Sequence, residues 1–190
     1  MNEDVIQETK AFPMHPHKDM EILTYVMGGA LKHKDSLGNG GVIVPGMVQR
    51  MSAGRGIRHS EFNPSKREDT HLYQIWMLPS RKRTKPSYAE KKFTWKDHKG
   101  VLRLVASPSG AQESISIGTD VNLYSALLSP KQQIAYPNRR GRHVWIQVTR
   151  GSIKVNHLTL SAGDGVRTSD PGKLALEGVS DAELLLFDLA

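Results

Sequence analysis

The 190-residue chain contains no cysteine. That absence excludes disulfides, thiolate nucleophiles, zinc ribbons and iron–sulfur clusters, and it leaves histidine and carboxylate as the strong metal ligands. Any metal bound here is held by nitrogen and oxygen. No apolar run approaches the ~20 residues needed to cross a bilayer. The polar start MNEDVIQETK lacks the basic, apolar and small-residue order of a secretory signal. The expected address is the cytoplasm, with no membrane contact. A G-x-S-x-G nucleophile elbow is also missing, and GNGG and AGRG lack the Gly-Lys-Ser/Thr ending of a phosphate loop. Both are read as turns, and serine-triad hydrolysis is disfavoured.

Acidic residues are outnumbered. Lys and Arg total 26 against 19 Asp and Glu, a net charge of +7. Much of the excess sits in SRKRTKPSYAEKK (80–92) and NRRGR (138–142). A basic balance permits a polyanionic partner. Neither stretch, however, carries the interleaved aromatics of a stacking platform or a recognition-helix pattern. They read as solvated connectors, and nucleic acid is a disfavoured partner.

What the chain does have is short bursts of apolar and β-branched residues: ILTYV (22–26), GGVIVPG (40–46), HLYQIWML (71–78), VLRLVAS (101–107), HVWIQVT (143–149), GSIKVNHLTL (151–160) and AELLLFDL (182–189). Gly, Pro, Asn and Asp separate them, and helix signals are few. This spacing predicts an all-β, mostly antiparallel sandwich or barrel. SLGNGG (36–41) reads as a hairpin loop, and VPGM (44–47) and SAGD (161–164) as tight turns.

The second half slides over the first with a weak match. LTYVMGGALKH (23–33) lies over IQVTRGSIKVN (146–156), setting Gly28 on Gly151, and VPGM falls on SAGD. Two copies of one β-barrel unit are expected, residues 1–95 and 100–190. In this alignment His15 and His17 map to Asn138 and Arg140, while His59 and Glu61 map to Leu176 and Gly178. The scaffold repeats and the potential ligands do not.

HPHKDME (15–21) spaces His15 and His17 by two, and RHSE (58–61) spaces His59 and Glu61 by two. Strand side chains alternate faces, so each pair points one way. On adjacent strands, two such pairs converge three imidazoles and a carboxylate. That donor set suits Fe(II), Mn(II), Ni(II), Cu(II) or Zn(II), with iron preferred where two neighbouring positions stay open. Each imidazole then needs an acceptor for its other nitrogen. His33 and His71 either support the ligands from behind or are ordinary strand histidines, the latter being favoured, and His98, His143 and His157 read as surface residues.

HPHKDMEILTYV, HKDSLGNGG, VPGMVQRMSAGRGIRHSEFNPS and HLYQIWM, in that order, resemble the pirin family of the cupin superfamily. The tail IQVTRGSIKVN to LLLFDL fits that family's degenerate second cupin. The resemblance implies a bicupin of two antiparallel β-barrels (double-stranded β-helices), the N-terminal one holding a single metal, commonly iron, and the C-terminal one empty. It assigns the ligands to His15, His17, His59 and Glu61. Cupins in general use the first-motif glutamate, here Glu21, which an unbulged strand from 15 to 21 would turn to the same side. Glu61 is therefore the fourth ligand expected, with Glu21 in reserve. Family members usually carry a longer segment before this point, whereas this chain begins fourteen residues before His15, so the expectation is that the first barrel is short of strands, that they come from another chain, or that this is a truncated relative.

The resemblance also implies an activity, quercetin 2,3-dioxygenase ring opening of a flavonol by O2 with release of CO, in which Glu61 both ligates and serves as base. An alternative from a different class is a non-catalytic, metal- and redox-sensing module that regulates a protein partner, its basic stretches forming the contact. A third is a truncated paralogue that retains the metal only as structure.

Overall fold

Alternation dictates most of the strands. In LKHKD (Leu31–Asp35) and IRHSEF (Ile57–Phe62) every second residue is buried and those between are exposed or half-buried, as a strand packed on one face requires. The computed structural model describes residues 1–190 apart from the side chain of Trp95. Its contacts divide the chain into two units, Met1–Phe93 with Ile117–Thr119, and Thr94–Ser116 with Asp120–Ala190.

The first unit runs β1 (Asn2–Ile6), β2 (Ala11–His17), β3 (Glu21–Gly28), β4 (Leu31–Asp35), β5 (Gly40–Ile43), β6 (Met47–Ser52), β7 (Ile57–Phe62), β8 (Thr70–Met77) and β9 (Ser87–Lys92). They form a five-stranded sheet ordered β1-β8-β3-β6-β9 and a four-stranded sheet ordered β2-β7-β4-β5. One apolar cluster takes Ile6, Val26 and Leu72 from the larger sheet and Leu31 and Ile43 from the smaller. A second joins Ile22 and Met51 to Ala53 and Ile57. Shared clusters mean the two sheets face each other across one core. Burying a leucine or isoleucine side chain completely contributes ~1.5–3 kcal/mol, and Leu23, Leu31, Ile43 and Leu72 are fully buried.

The second unit repeats the plan with β10 (Arg103–Ser107), β11 (Ile115–Ser116), β12 (Val121–Leu128), β13 (Gln133–Asn138), β14 (His143–Arg150), β15 (Ser152–Val155), β16 (Leu158–Ser161), β17 (Gly165–Thr168), β18 (Gly172–Gly178) and β19 (Ala182–Leu189). Its sheets are β11-β10-β12-β19-β14-β17 and β13-β18-β15-β16. The expected all-β bicupin is observed, each unit being an open pair of sheets rather than a fully closed barrel. Among the described residues, helix is confined to α1 (Trp95–His98) and a 3-10 turn at Ala111–Glu113.

The two units share an outline, but their register differs from the sequence alignment by one residue at the glycine turn and by two at the ligand positions. Gly29, not Gly28, is the counterpart of Gly151. Both have φ +69°, and a Cβ on either would meet a backbone carbonyl, Asp69 O at 2.4 Å or Asp181 O at 2.1 Å. Gly46 and Gly163, with φ 86° and 90°, do correspond as expected. Strand pairing carries the correction further. His33 faces Glu61 on β4 and β7 where Val155 faces Leu176 on β15 and β18. His15 faces His59 where Tyr136 faces Leu174. The second unit thus has Tyr136, Asn138, Leu174 and Leu176 where the first has His15, His17, His59 and Glu61. These replacements differ from the ones that the sequence alignment gives. In the Gly28-Gly29 pair the positive φ belongs to the second glycine.

Leu174 and Leu176 belong to the second unit's apolar core. Tyr136 instead donates its hydroxyl to Asp188 Oδ2 (2.6 Å), which also accepts from Asn122 Nδ2 (3.3 Å), while Arg142 Nε donates to Asp188 Oδ1 (2.7 Å). Burial opposes the charge on Asp188, but these donors outweigh it and hold the carboxyl below its ordinary range. A depressed carboxyl stabilises the fold fully above its unfolded value, near 4, and the contribution is lost as pH falls through the lower folded value.

Two expectations follow. Gly29→Ala and Gly151→Ala each destabilise the protein by at least about 2 kcal/mol, because a left-handed residue and a carbonyl clash coincide; urea unfolding followed by circular dichroism measures the loss. Asp188→Asn lowers stability at pH 7 and flattens its decline below pH 4; parallel acid titrations of variant and parent would contradict the assignment.

Candidate metal centre

β7 lies between β2 and β4 in the smaller sheet, so its inward residues have neighbours on both sides. His59 is opposite His15 on β2 and Asp35 on β4, and Glu61 is opposite Phe12 and His33. Between Phe12 and His15 the β2 register shifts, the mark of a β-bulge. The bulge frees the Pro13 carbonyl, which accepts from His15 Nδ1 at 2.7 Å. A carbonyl only accepts, so Nδ1 carries the proton and Nε2 keeps its lone pair.

The rings converge. Centroids lie 4.8 Å apart for His15 and His17, 4.4 Å for His15 and His59, 4.9 Å for His17 and His59, and 5.3 Å for His33 and His59. Ligand atoms fall into two groups, each within 4.8 Å: His15, His17 and His59, and His33, His59 and Glu61. His59 belongs to both. His33, read from the sequence as an ordinary strand histidine, is at the centre with 1% exposure, its ring stacked on Tyr88 at 4.9 Å.

Protonation favours ligation. Burial, then the charges of His15, His17 and His33, push His59 down to about 3. Burial lowers His17, with His15 adding to the effect. It lowers His33 as well, against the pull of Asp35. These imidazoles are neutral at pH 7 and offer lone pairs. Glu61 moves the other way, raised to about 7 by burial, with the hydrogen bond from Gln74 opposing.

Whether a metal fits is decided by what the protein leaves unmade. His17 Nε2, both ring nitrogens of His33 and of His59, and Glu61 Oε1 are buried without a hydrogen-bond partner. Each such group costs ~1–3 kcal/mol, and buried polar atoms normally find partners. One nitrogen of each ring together with Glu61 Oε1 is what a divalent cation could satisfy, and nitrogen and oxygen donors suit a transition ion.

Glu21, the reserve ligand, has other partners. It is buried on β3, where Oε2 accepts from Ser52 Oγ (2.8 Å) and from the Gly118 amide (3.1 Å), and it joins neither ligand group among the described residues. A Cβ on Gly118 would lie 2.8 Å from Glu21 Oε1, which explains glycine there. The remaining histidines are elsewhere. His71 bonds Glu3 at 2.8 Å at the surface, and His143 and His157 are exposed. His98, expected at the surface, is instead 2% exposed and bonded to Ser125 Oγ.

A cavity of 340 Å³ opens onto the donors, lined by Asp4, Phe12, His15, Glu61, Gln74 and Trp76 among others. Gln74 and Trp76 were not singled out in the sequence. The Trp76 indole N–H donates to Gln74 Oε1 (2.9 Å), and Gln74 Nε2 donates to Glu61 Oε2 (2.8 Å). An indole only donates, so the Gln74 amide has one possible orientation, with its NH2 toward Glu61. The available signal was the parity of HLYQIWM, which puts polar Gln74 and Trp76 on one face of an otherwise apolar strand.

Residues 1–77 match the family model described as Pirin, and residues 104–189 match the one described as quercetinase C-terminal cupin domain. The chain is 42% identical over 189 residues to the quercetin 2,3-dioxygenase of Escherichia coli strain K12, covering 100% of this chain and 80% of that protein. It is 39% identical over 190 residues to a pirin-like protein of Caulobacter vibrioides, covering 100% and 82%. The crystal structure of YhhW from Escherichia coli superposes with a TM-score of 0.94 at 41% identity, over 99% of this chain and 79% of that one. The nickel(II) complex of bacterial pirin YhhW superposes with a TM-score of 0.92 at 42% identity, over 98% and 80%. By sequence along its whole length and by fold in both units, the chain belongs to the pirin family of the cupin superfamily.

Proposed function

We propose that the chain is a metal-dependent dioxygenase of the quercetin 2,3-dioxygenase type, a cytoplasmic enzyme that opens the heterocycle of a flavonol with O2. The observation that carries this reading is a set of buried, unsatisfied imidazole and carboxylate donors, of which Glu61 lines, with His15, a cavity with aromatic walls. Relatives at 42% identity that bear this name support it.

In this reading His15, His17, His59 and Glu61 hold one divalent ion. Fe(II) is the metal proposed, with Mn, Ni, Cu or Zn as alternatives. When bound, the ion supplies positive charge that makes a neighbouring hydroxyl easier to deprotonate. The chain's own groups do the rest. Phe12 and Trp76, both partly exposed, flank the cavity and offer aromatic faces to a planar, polycyclic substrate. Glu61 is also the proposed base for the flavonol 3-hydroxyl, and Gln74 Nε2 holds its Oε2 in place.

The Fe(II)-loaded protein is expected to bleach quercetin's visible absorbance in air. His15→Ala abolishes the bleaching, and Glu61→Gln reduces kcat by ~10²–10⁴-fold, the range for losing a general base. Equal rates in parent and variants would refute the assignment. Trp76→Ala is expected to raise KM about 2–10-fold with a smaller effect on kcat, the value of one aromatic contact of ~0.5–1.5 kcal/mol; steady-state kinetics separates the two.

A further inference from the structure

An imidazole that ligates an ion through one nitrogen keeps an N–H on the other, and that N–H needs an acceptor. His15 has one in the Pro13 carbonyl. His59 is 1% exposed, and neither of its nitrogens is hydrogen-bonded. Once His59 holds an ion, its second nitrogen is a buried donor, and leaving such a group unpaired costs ~1–3 kcal/mol. His33 is equally buried, with two unpartnered nitrogens of its own, and the four-ligand site gives it no part.

The two rings are neighbours, with centroids 5.3 Å apart and ligand atoms within 4.8 Å. A hydrogen bond of about 3 Å between two ring nitrogens, each about 1 Å from its ring centre, sets the centres ~5 Å apart. For His33 to accept, one of its nitrogens must keep the lone pair, and Asp35 decides which. Its Oδ2 is 3.7 Å from His33 Nε2, too long for a hydrogen bond yet close enough to draw the ring's N–H to that side. The carboxylate is fixed in turn by the amides of Leu37 and Asn39 and by Asn39 Nδ2, each at 2.9 Å. Nδ1 is left with the lone pair. The ring is also held by its face. Tyr88 stacks on it at 4.9 Å and donates its hydroxyl to Glu90 Oε2 at 2.7 Å. Glu90 in turn lies over Gly41, the residue opposite His33 on β5, where a Cβ would come within 2.7 Å of that same oxygen.

We propose that His33 is a positioning residue for the metal: its Nδ1 accepts the N–H of the ion-bound His59, so that Asp35, His33 and His59 form a carboxylate–imidazole–imidazole chain behind the ion. The arrangement is the carboxylate behind a metal-binding histidine, lengthened by one ring. His33 does not touch the ion, which is held by His15, His17, His59 and Glu61 together. This inference rests on the metal-binding part of the proposed function and not on the reaction.

Nickel(II) calorimetry on the full, metal-stripped chain tests it, with thermal melts confirming that each variant is folded. Wild type binds one equivalent. His33→Phe keeps the stack on Tyr88 but offers no acceptor, and it is expected to bind the same single equivalent ~10–100-fold more weakly, the range for losing the partner of a ligating histidine. His33→Asn returns a carbonyl oxygen close to the place of Nδ1 and is expected to bind at least about fivefold more tightly than His33→Phe, a rescue that loss of packing alone does not give. A readout that needs no variant is nitrogen NMR of the Zn(II)-loaded wild type, in which His33 is expected to carry its proton on Nε2 and none on Nδ1. If His33→Phe binds nickel as wild type does, if His33→Asn binds no better than His33→Phe, or if His33 carries its proton on Nδ1, the positioning role is overturned and the proposed function stands. If wild type binds no nickel, both fall.

Discussion

One constraint organises the candidate site: β7 is an interior strand of the smaller sheet, and a strand can point only every second residue inward. Spacing His59 and Glu61 by two turns both into the core. Being interior gives them neighbours on both flanks, His15 on β2 and His33 on β4. No loop has to fold over to assemble the donors. The backbone ladder holds them, and the apolar clusters around Leu31, Ile43 and Leu72 hold the ladder. Such a site is positioned by paired strands rather than by loops, as tight geometry requires.

Burial then sets the chemistry. Withdrawn from water, the imidazoles resist protonation and the carboxylate resists ionisation, so the neutral rings present lone pairs. The same burial makes the empty arrangement costly, because its polar atoms find no partners in the protein. The second unit shows the other solution to this problem. At the corresponding positions it has leucines that pack into the core, and a tyrosine that donates to a carboxylate already paired with arginine. Tyr136 and Asp188 are satisfied by the chain itself, with the Arg142 guanidinium as the cation, while Asn138 Oδ1 is left without a partner.

The fold was largely legible in the sequence because it rests on local rules: period-two alternation, turn glycines and short apolar bursts. His15, His17, His59 and Glu61 were legible for the same reason, since i, i+2 spacing on a strand is a geometric statement. The repeat was legible only with a slip, one residue at the glycine turn and two at the ligand positions, because Gly28 and Gly29 are indistinguishable until φ shows which one turns. His33 and Gln74 were not legible. Each is a single polar residue in a strand, and its role arises from which strand pairs with which, information that pattern alone does not contain. His98 was misread for a similar reason: the residues that bury it and the hydroxyl it bonds come from a strand far along the chain.

The account's central claim is that one divalent ion sits on His59 within this cluster. Anomalous diffraction at the nickel edge, on crystals of the metal-stripped chain reloaded with one equivalent of Ni(II), tests it most directly. The account predicts a single strong peak within bonding distance of His59, with the remaining contacts drawn from His15, His17 and Glu61. A peak at any position that leaves His59 unliganded, or no peak after loading, would contradict it.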